Sequence, residues 1–202
     1  MLSRVGSSTF TRRGVLARAG AGAAVLVGGS AVGALAPAAR AAVPDGDLAY
    51  ARLLVALELL SLDFYSRALR SGRVSSGLEL RRARAAEKQH YEDVAAVLTA
   101  AGQVPATAQD IDFSYPIKSF DSWPSIARLG ARLESLSLGA YLGAVRALQT
   151  PEFRNHAARA AASEAQHVSF FSAAVGGRRL GPPLPPTLPI DQVSNALDAY
   201  TS

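Results

Sequence analysis

The chain has no cysteine among its 202 residues. That absence excludes a disulfide framework, thiolate zinc or iron–sulfur sites, a cysteine nucleophile and a lipidated N-terminal cysteine. Residues 1–41 have no acid, although they hold Arg4, Arg12, Arg13, Arg18 and Arg40. The remainder has no charge imbalance: 21 − 5 = 16 basic residues face 16 acidic ones, so the formal +5 belongs to the N-terminus. A body without net charge offers no electrostatic case for nucleic acid as a partner. Strand signals are missing as well. There is no sustained period-2 run and no hairpin turn between β-branched stretches.

What is present fits one folded domain. Hydrophobic residues make up 49% and charged residues 18% of a 21.0 kDa chain, too apolar for disorder and long enough to bury a core. Thr11-Arg12-Arg13-Gly14-Val15-Leu16 resembles the twin-arginine export motif, with Val15 where phenylalanine is commoner. The stretch from Gly14 to Leu35 is mildly apolar, rich in glycine and alanine, and broken by Arg18. It is too weak for a transmembrane helix. Ala39-Arg40-Ala41 reads as a cleavage site, so residues 1–41 are expected to be a signal peptide and Ala42 the mature start. The implied partner is the twin-arginine translocation machinery, and the expected location is outside the cytoplasmic membrane with no stable span after cleavage. That pathway carries folded proteins, often with a cofactor already loaded. An uncleaved anchor is the alternative.

From Asp47 onward the pattern is helical. Leu48–Leu69 is apolar-rich, with Asp47 as the expected N-cap. Ser76–Ala101 is a second helix, closed by Gly102 and Pro105. A polar, proline-bearing connection follows, then a third helix over Trp123–Leu148. Thr150-Pro151-Glu152 opens a fourth with an N-cap and a proline in the first turn, running to Val175. Residues 177–202 read as a tail, with stiff prolines over Gly181–Pro186 and a short helix within Asp191–Tyr200.

The body repeats itself. Glu58-Leu-Leu-Ser61-Leu62-x-x-Tyr65 matches Glu134-Ser-Leu-Ser137-Leu138-x-x-Tyr141, and Ala85-Ala86-Glu87-Lys88-Gln89-His90 matches Ala162-Ser163-Glu164-Ala165-Gln166-His167. Two like helix hairpins joined by a long crossover make an all-α antiparallel four-helix bundle with internal two-fold pseudosymmetry, expected over residues 47–176.

Residues i and i+3 share a helix face, so Glu87 with His90, and Glu164 with His167, each present a carboxylate beside an imidazole. Glu58 and Glu134 sit on apolar stripes, where a lone carboxylate is costly unless a cation compensates it. Glu58 precedes Gly72 by 14 residues and Glu87 follows it by 15, which puts both at the same level, roughly 21 Å from the turn. In the second hairpin Glu134 precedes Thr150 by 16 residues and Glu164 follows it by 14, which puts these two near one level as well. Seven glutamates in 202 residues would put Glu at i−3 of two of three histidines by chance in about 0.4% of sequences. Four carboxylates and two imidazoles at mid-bundle suit two bridged divalent ions, iron or manganese in preference to zinc. Two such ions together can activate oxygen or peroxide.

The order Glu, Glu-x-x-His, Glu, Glu-x-x-His resembles the ferritin-like di-iron carboxylate superfamily of ferritins, bacterioferritins and rubrerythrins, as does the doubled Glu-x6-Tyr of Glu58/Tyr65 and Glu134/Tyr141. The resemblance implies metal ligation by Glu58, Glu87, His90, Glu134, Glu164 and His167. It implies that Tyr65 and Tyr141 hydrogen-bond a metal carboxylate of the facing half. It implies two iron or manganese ions per chain, metal oxidation or oxygen/peroxide reduction, and it admits a homodimer. The rubredoxin cysteines of rubrerythrin are absent, and nothing in the sequence marks the cage-forming surface of an iron-storage protein. The competing expectation is a metal-poor structural or stress-protective bundle at the cell envelope, its acid/His pairs forming a buried network. His156 reads as a surface histidine, Ser61 and Ser137 as small residues for close packing, Arg81-Arg82-x-Arg84 as a solvated face, and Asp63, Glu92 and Asp93 as surface charges.

The transporter reads the arginine pair as a unit. Replacing Arg12 and Arg13 together by lysine is expected to hold the protein in the cytoplasm, as followed by cell fractionation; unchanged export would remove the twin-arginine reading.

Overall fold

The computed structural model describes residues 42–177 and 185–201. The arginine motif, the cleavage site and most of the Gly181–Pro186 proline run lie outside the described residues. The described chain forms α1 (Asp45–Arg70), α2 (Gly77–Ala100), α3 (Trp123–Ala147), α4 (Pro151–Ala174) and α5 (Ile190–Leu197), the last running into a 3-10 turn over Asp198–Tyr200. The first four are the expected bundle. No strand occurs among the described residues, only an isolated bridge between Phe113 and Thr201.

Local chemistry sets the ends. Asp45 and Asp47 in the first turn of α1, with Arg67 and Arg70 in its last, match the helix dipole. Gly72, at φ 67°, supplies the left-handed residue that turns the chain towards α2, and Gly102, at φ 74°, does the same after α2. Ser122 accepts a hydrogen bond from the Ser125 N–H at 3.3 Å and caps α3. Pro151 starts α4 without needing a donor.

Asp47 departs from the expected cap. Helix α1 already begins at Asp45, and Asp47 is buried within its first turn. Its carboxylate accepts the N–H of Gln149 at 2.9 Å and of Thr150 at 2.7 Å, across the joint between α3 and α4. Thr150 makes no side-chain cap of its own, and the Asp47 bonds fix the two residues just ahead of α4 rather than its first-turn donors. Burial pushes the Asp47 carboxyl up, but these bonds, together with the Arg154 charge, outweigh it and hold it below the usual range.

Helix α1 packs against α2 and α3, and α4 packs against α3 and α2. Leu54, Leu57, Leu60 and Phe64 of α1 fill the core with Ile126, Leu129 and Leu133 of α3 and Phe171 of α4. The crossover is pinned to α1: the Tyr115 hydroxyl donates to the Leu60 carbonyl at 3.2 Å and to Asp63 at 3.0 Å, while Arg67 donates to the Phe113 carbonyl at 3.1 Å. Asp63 is therefore a structural partner rather than a plain surface charge.

The C-terminal residues are more than a tail. The Leu188 N–H donates to the Gly139 carbonyl at 2.9 Å, and Val193 and Leu197 of α5 are buried against the bundle. Gly139 and Gly143 leave the groove on α3 that this segment occupies. A Cβ on Gly139 would meet the Leu188 side chain at 2.6 Å, and one on Gly143 would collide with the Leu188 carbonyl oxygen. The second obstacle is backbone, so it yields only if the segment lifts. Gly143→Ala is expected to lower stability by about 1–3 kcal/mol. Gly46→Ala, where nothing lies within 4 Å, should be neutral or slightly stabilising. Thermal melts of both variants compare them; equal melting would mean that the segment does not bear on α3.

Candidate metal centre

Each bundle helix brings its acid to the same level. Glu58 comes from α1, Glu87 and His90 from α2, Glu134 from α3, and Glu164 and His167 from α4. The four carboxylates are at most 1% exposed. The imidazole side chains are 11% and 13% exposed, and they alone of the six reach towards solvent. The donors fall into two groups, Glu58–Glu87–His90–Glu164 and Glu87–Glu134–Glu164–His167, each with its ligand atoms within 4.8 Å of one another. Glu87 and Glu164 belong to both groups, so they are the carboxylates the two groups share. Glu58 and Glu134 are the outer ones. His90 Nδ1 lies 3.1 Å from Glu164 Oε1, and His167 Nδ1 lies 2.8 Å from Glu87 Oε1 and 3.4 Å from Glu134 Oε2.

The tyrosines cross between the halves. The Tyr65 hydroxyl donates to Glu134 Oε1 at 2.5 Å, and the Tyr141 hydroxyl donates to Glu58 Oε1. Each outer carboxylate is thus held by the opposite hairpin, with one oxygen left over. Both tyrosines are fully buried. Ser61 and Ser137 are buried on the same stripes, and the Ser61 hydroxyl makes no hydrogen bond.

The electrostatics follow from four acids in one dry place. Burial, then the charges of Glu87 and Glu164, pushes Glu58 and Glu134 well above the usual carboxylate range. Burial works the same way on Glu164, but His167 and His90 outweigh it and bring that carboxyl down to about 2. Burial opposes the charged imidazoles. The facing carboxylates override it and raise His90 to about 9, chiefly through Glu164 and Glu87, and His167 to about 12, chiefly through Glu134, Glu164 and Glu87. Without a metal the balance is between neutral outer acids, which burial favours, and the charged forms of Glu164 and the two imidazoles, each of which the other favours.

That balance leaves hydrogen bonding incomplete. Glu58 Oε2, both oxygens of Glu87 and of Glu164, Glu134 Oε2 and the Nδ1 atoms of His90 and His167 are buried without a well-aligned hydrogen bond, although His167 Nδ1 and Glu87 Oε1 stand 2.8 Å apart. Buried polar atoms without partners are expensive, and here they are the atoms a pair of divalent cations would bind. An all-oxygen and imidazole set with two shared carboxylates fits iron or manganese.

Two neighbours were not foreseen as such. His156 is half-buried rather than a surface residue: its ring lies 6.5 Å from that of His90 and 6.4 Å from that of Tyr141, and its Nδ1 is 3.4 Å from Asp93 Oδ2. The spacing of His156, Ala160 and Glu164 places the histidine on the same stripe as a site glutamate, which is the signal that identifies it. Arg84 is also not fully solvated, since its Nε donates to the Ser66 hydroxyl at 2.8 Å.

A carboxyl whose folded pKa is raised contributes stability below its unfolded pKa and loses it as pH rises through the folded one. The raised imidazoles lose theirs in the same direction, while lowered Glu164 keeps its contribution down to about 2. The metal-free protein should therefore weaken as pH climbs above about 4.5, the ordinary glutamate range. Replacing Glu58 and Glu134 together by glutamine removes the acid part of that slope. The metal-free variant is expected to melt above the metal-free parent, by a margin that widens between about pH 5 and 9, and to gain little from added metal. Melts across pH, with and without iron or manganese, decide it. A margin flat in pH, with equal response to metal, would contradict the buried-acid arrangement.

A search of curated proteins returns no match to this chain. A comparison with protein families matches residues 46–177 to the ferritin-like domain, a span that takes in all four long helices and all six site residues. With that span covering more than half of the sequence and the paired Glu-x-x-His helices in the expected places, the chain belongs to the ferritin-like domain family.

Proposed function

We propose that the protein is exported and holds a dinuclear iron or manganese centre, with which it oxidises its own metal or reduces oxygen or peroxide. The observation that carries this reading is the set of partnerless buried donor atoms arranged around two shared carboxylates. Glu87 and Glu164 would bridge, Glu58 and Glu134 would each cap one ion, and His90 and His167 would complete the two positions. A redox-active metal pair supplies two electrons to a bound oxidant when present.

The protein's own residues do the rest. Tyr65 and Tyr141 hold the outer carboxylates in place by donating to one oxygen of each, which leaves the other free to ligate. Phe64, Phe171 and Leu133 keep the surroundings dry, so the charge interactions inside are strong. The imidazoles must give up the protons that the carboxylates hold on them, and the outer acids must give up theirs. Export is supported by Arg12-Arg13 and Ala39-Arg40-Ala41. No described helix is long and apolar enough to cross a membrane.

Metal loading tests the proposal. Purified protein loaded with iron or manganese should retain about two ions per chain by elemental analysis. Loading in weakly buffered solution near pH 7 should also release protons, drawn from Glu58, Glu134, His90 and His167, as read by a pH-stat. A folded bundle that retains no metal would favour a purely structural role.

A further inference from the structure

The two halves of the centre are alike in their ligands but not in their walls. The register that maps His90 onto His167 is 167 − 90 = 77 residues. The same step carries Asp93 to Phe170 and brings His156 back to Glu79, an exposed residue in the first turn of α2. Beside His90 there is thus an acid and an imidazole. Beside His167 there are rings: Phe170 and Phe171 pack edge to face at 5.1 Å, and Trp123 lies 6.1 Å from Phe170.

The polar pair joins α2 to α4. Asp93 is 46% exposed and its other oxygen accepts the Gln89 amide at 2.8 Å, which fixes the carboxylate. His156 Nδ1 stands 3.4 Å from Asp93 Oδ2, longer than an ordinary hydrogen bond. Two ligands on one cation, with bonds of about 2.1 Å and angles between octahedral and tetrahedral, stand about 3.0–3.4 Å apart. The separation is that of a ligand pair. The His156 ring stacks on Phe153 at 6.5 Å, while its Nε2 is buried with no hydrogen-bond partner. The ring sits directly against that of His90. Arg159 on the same helix acts on His156 with a repelling charge for a cation, so the attraction at this spot depends on Asp93.

We infer that Asp93 and His156 form an outer binding position for a hydrated divalent cation, from which it passes to the His90 side of the centre. This rests on the dinuclear reading. The four glutamates are sealed from solvent, so an ion must come in past one of the two partly exposed imidazoles. Past His90 it meets a carboxylate and a second imidazole; past His167 it meets aromatic rings. The His90 position, with Glu58, therefore fills first, and the His167 position, with Glu134, fills second.

Cobalt(II), followed by its visible absorption after rapid mixing with metal-free protein, tests this. The parent should show two filling phases. Asp93→Asn, a change at an exposed side chain, and His156→Gln should each slow the faster phase about tenfold, the scale of a local electrostatic effect on association. The number of ions bound at saturation and the melting temperature of the metal-free protein should stay at the parent's values. Unchanged rates in both variants would overturn the inference while leaving the dinuclear centre intact. A lower saturation stoichiometry with unchanged rates would also overturn it, because His156 would then support the resident ions. A parent that binds no cobalt while folded would overturn the dinuclear reading itself, and this inference with it.

Discussion

Four carboxylates forced into one water-poor space are the constraint on which this structure turns. In a low-dielectric core, like charges a few ångströms apart repel strongly, and desolvation adds to the cost. The bundle answers in layers. Two imidazoles stand against the shared carboxylates, two tyrosines donate to the outer ones, and the outer acids are driven towards their neutral form. None of this satisfies every donor atom. Cations binding the folded state alone would remove the remaining cost and stabilise the bundle by mass action, by about 2.7 kcal/mol at a hundredfold excess over the dissociation constant.

The surrounding fold keeps those layers in register. Each tyrosine reaches from one hairpin to the outer carboxylate of the other, so the two halves are tied together at the cluster. Asp47 ties the start of α1 to the α3–α4 joint, and Tyr115 with Arg67 ties the crossover to α1. The C-terminal segment closes over α3 through Leu188 and two glycines. These are contacts between residues far apart in sequence, and they fix relative helix positions that short-range helix chemistry leaves open.

The internal repeat holds where the proposed ligation would require it and fails elsewhere. Glutamate, histidine and tyrosine recur in both halves, as the proposed two-ion site would require. The walls have no such requirement. One side carries Asp93 and His156, the other Phe170 and Phe171, and this difference gives two otherwise similar donor groups different chemical surroundings.

Much of this was legible in the linear sequence. Helix periodicity and turn residues mark the four long helices, and Glu-x-x-His spacing puts carboxylate and imidazole on one face because i and i+3 always share it. Similar distances from the turns put Glu58 near the level of Glu87 and Glu134 near that of Glu164, since helical rise is constant. Such inferences depend only on local geometry, which the chain carries wherever it folds. The tertiary structure decided what local geometry leaves undetermined. Rotation and offset of one helix against another selected Glu87 and Glu164 as the shared carboxylates, turned Asp47 from a cap into a long-range tie, and placed His156 beside His90. Each of these depends on contacts between separate helices, and the strength of a carboxylate's pull on a proton depends on what lies across the core from it.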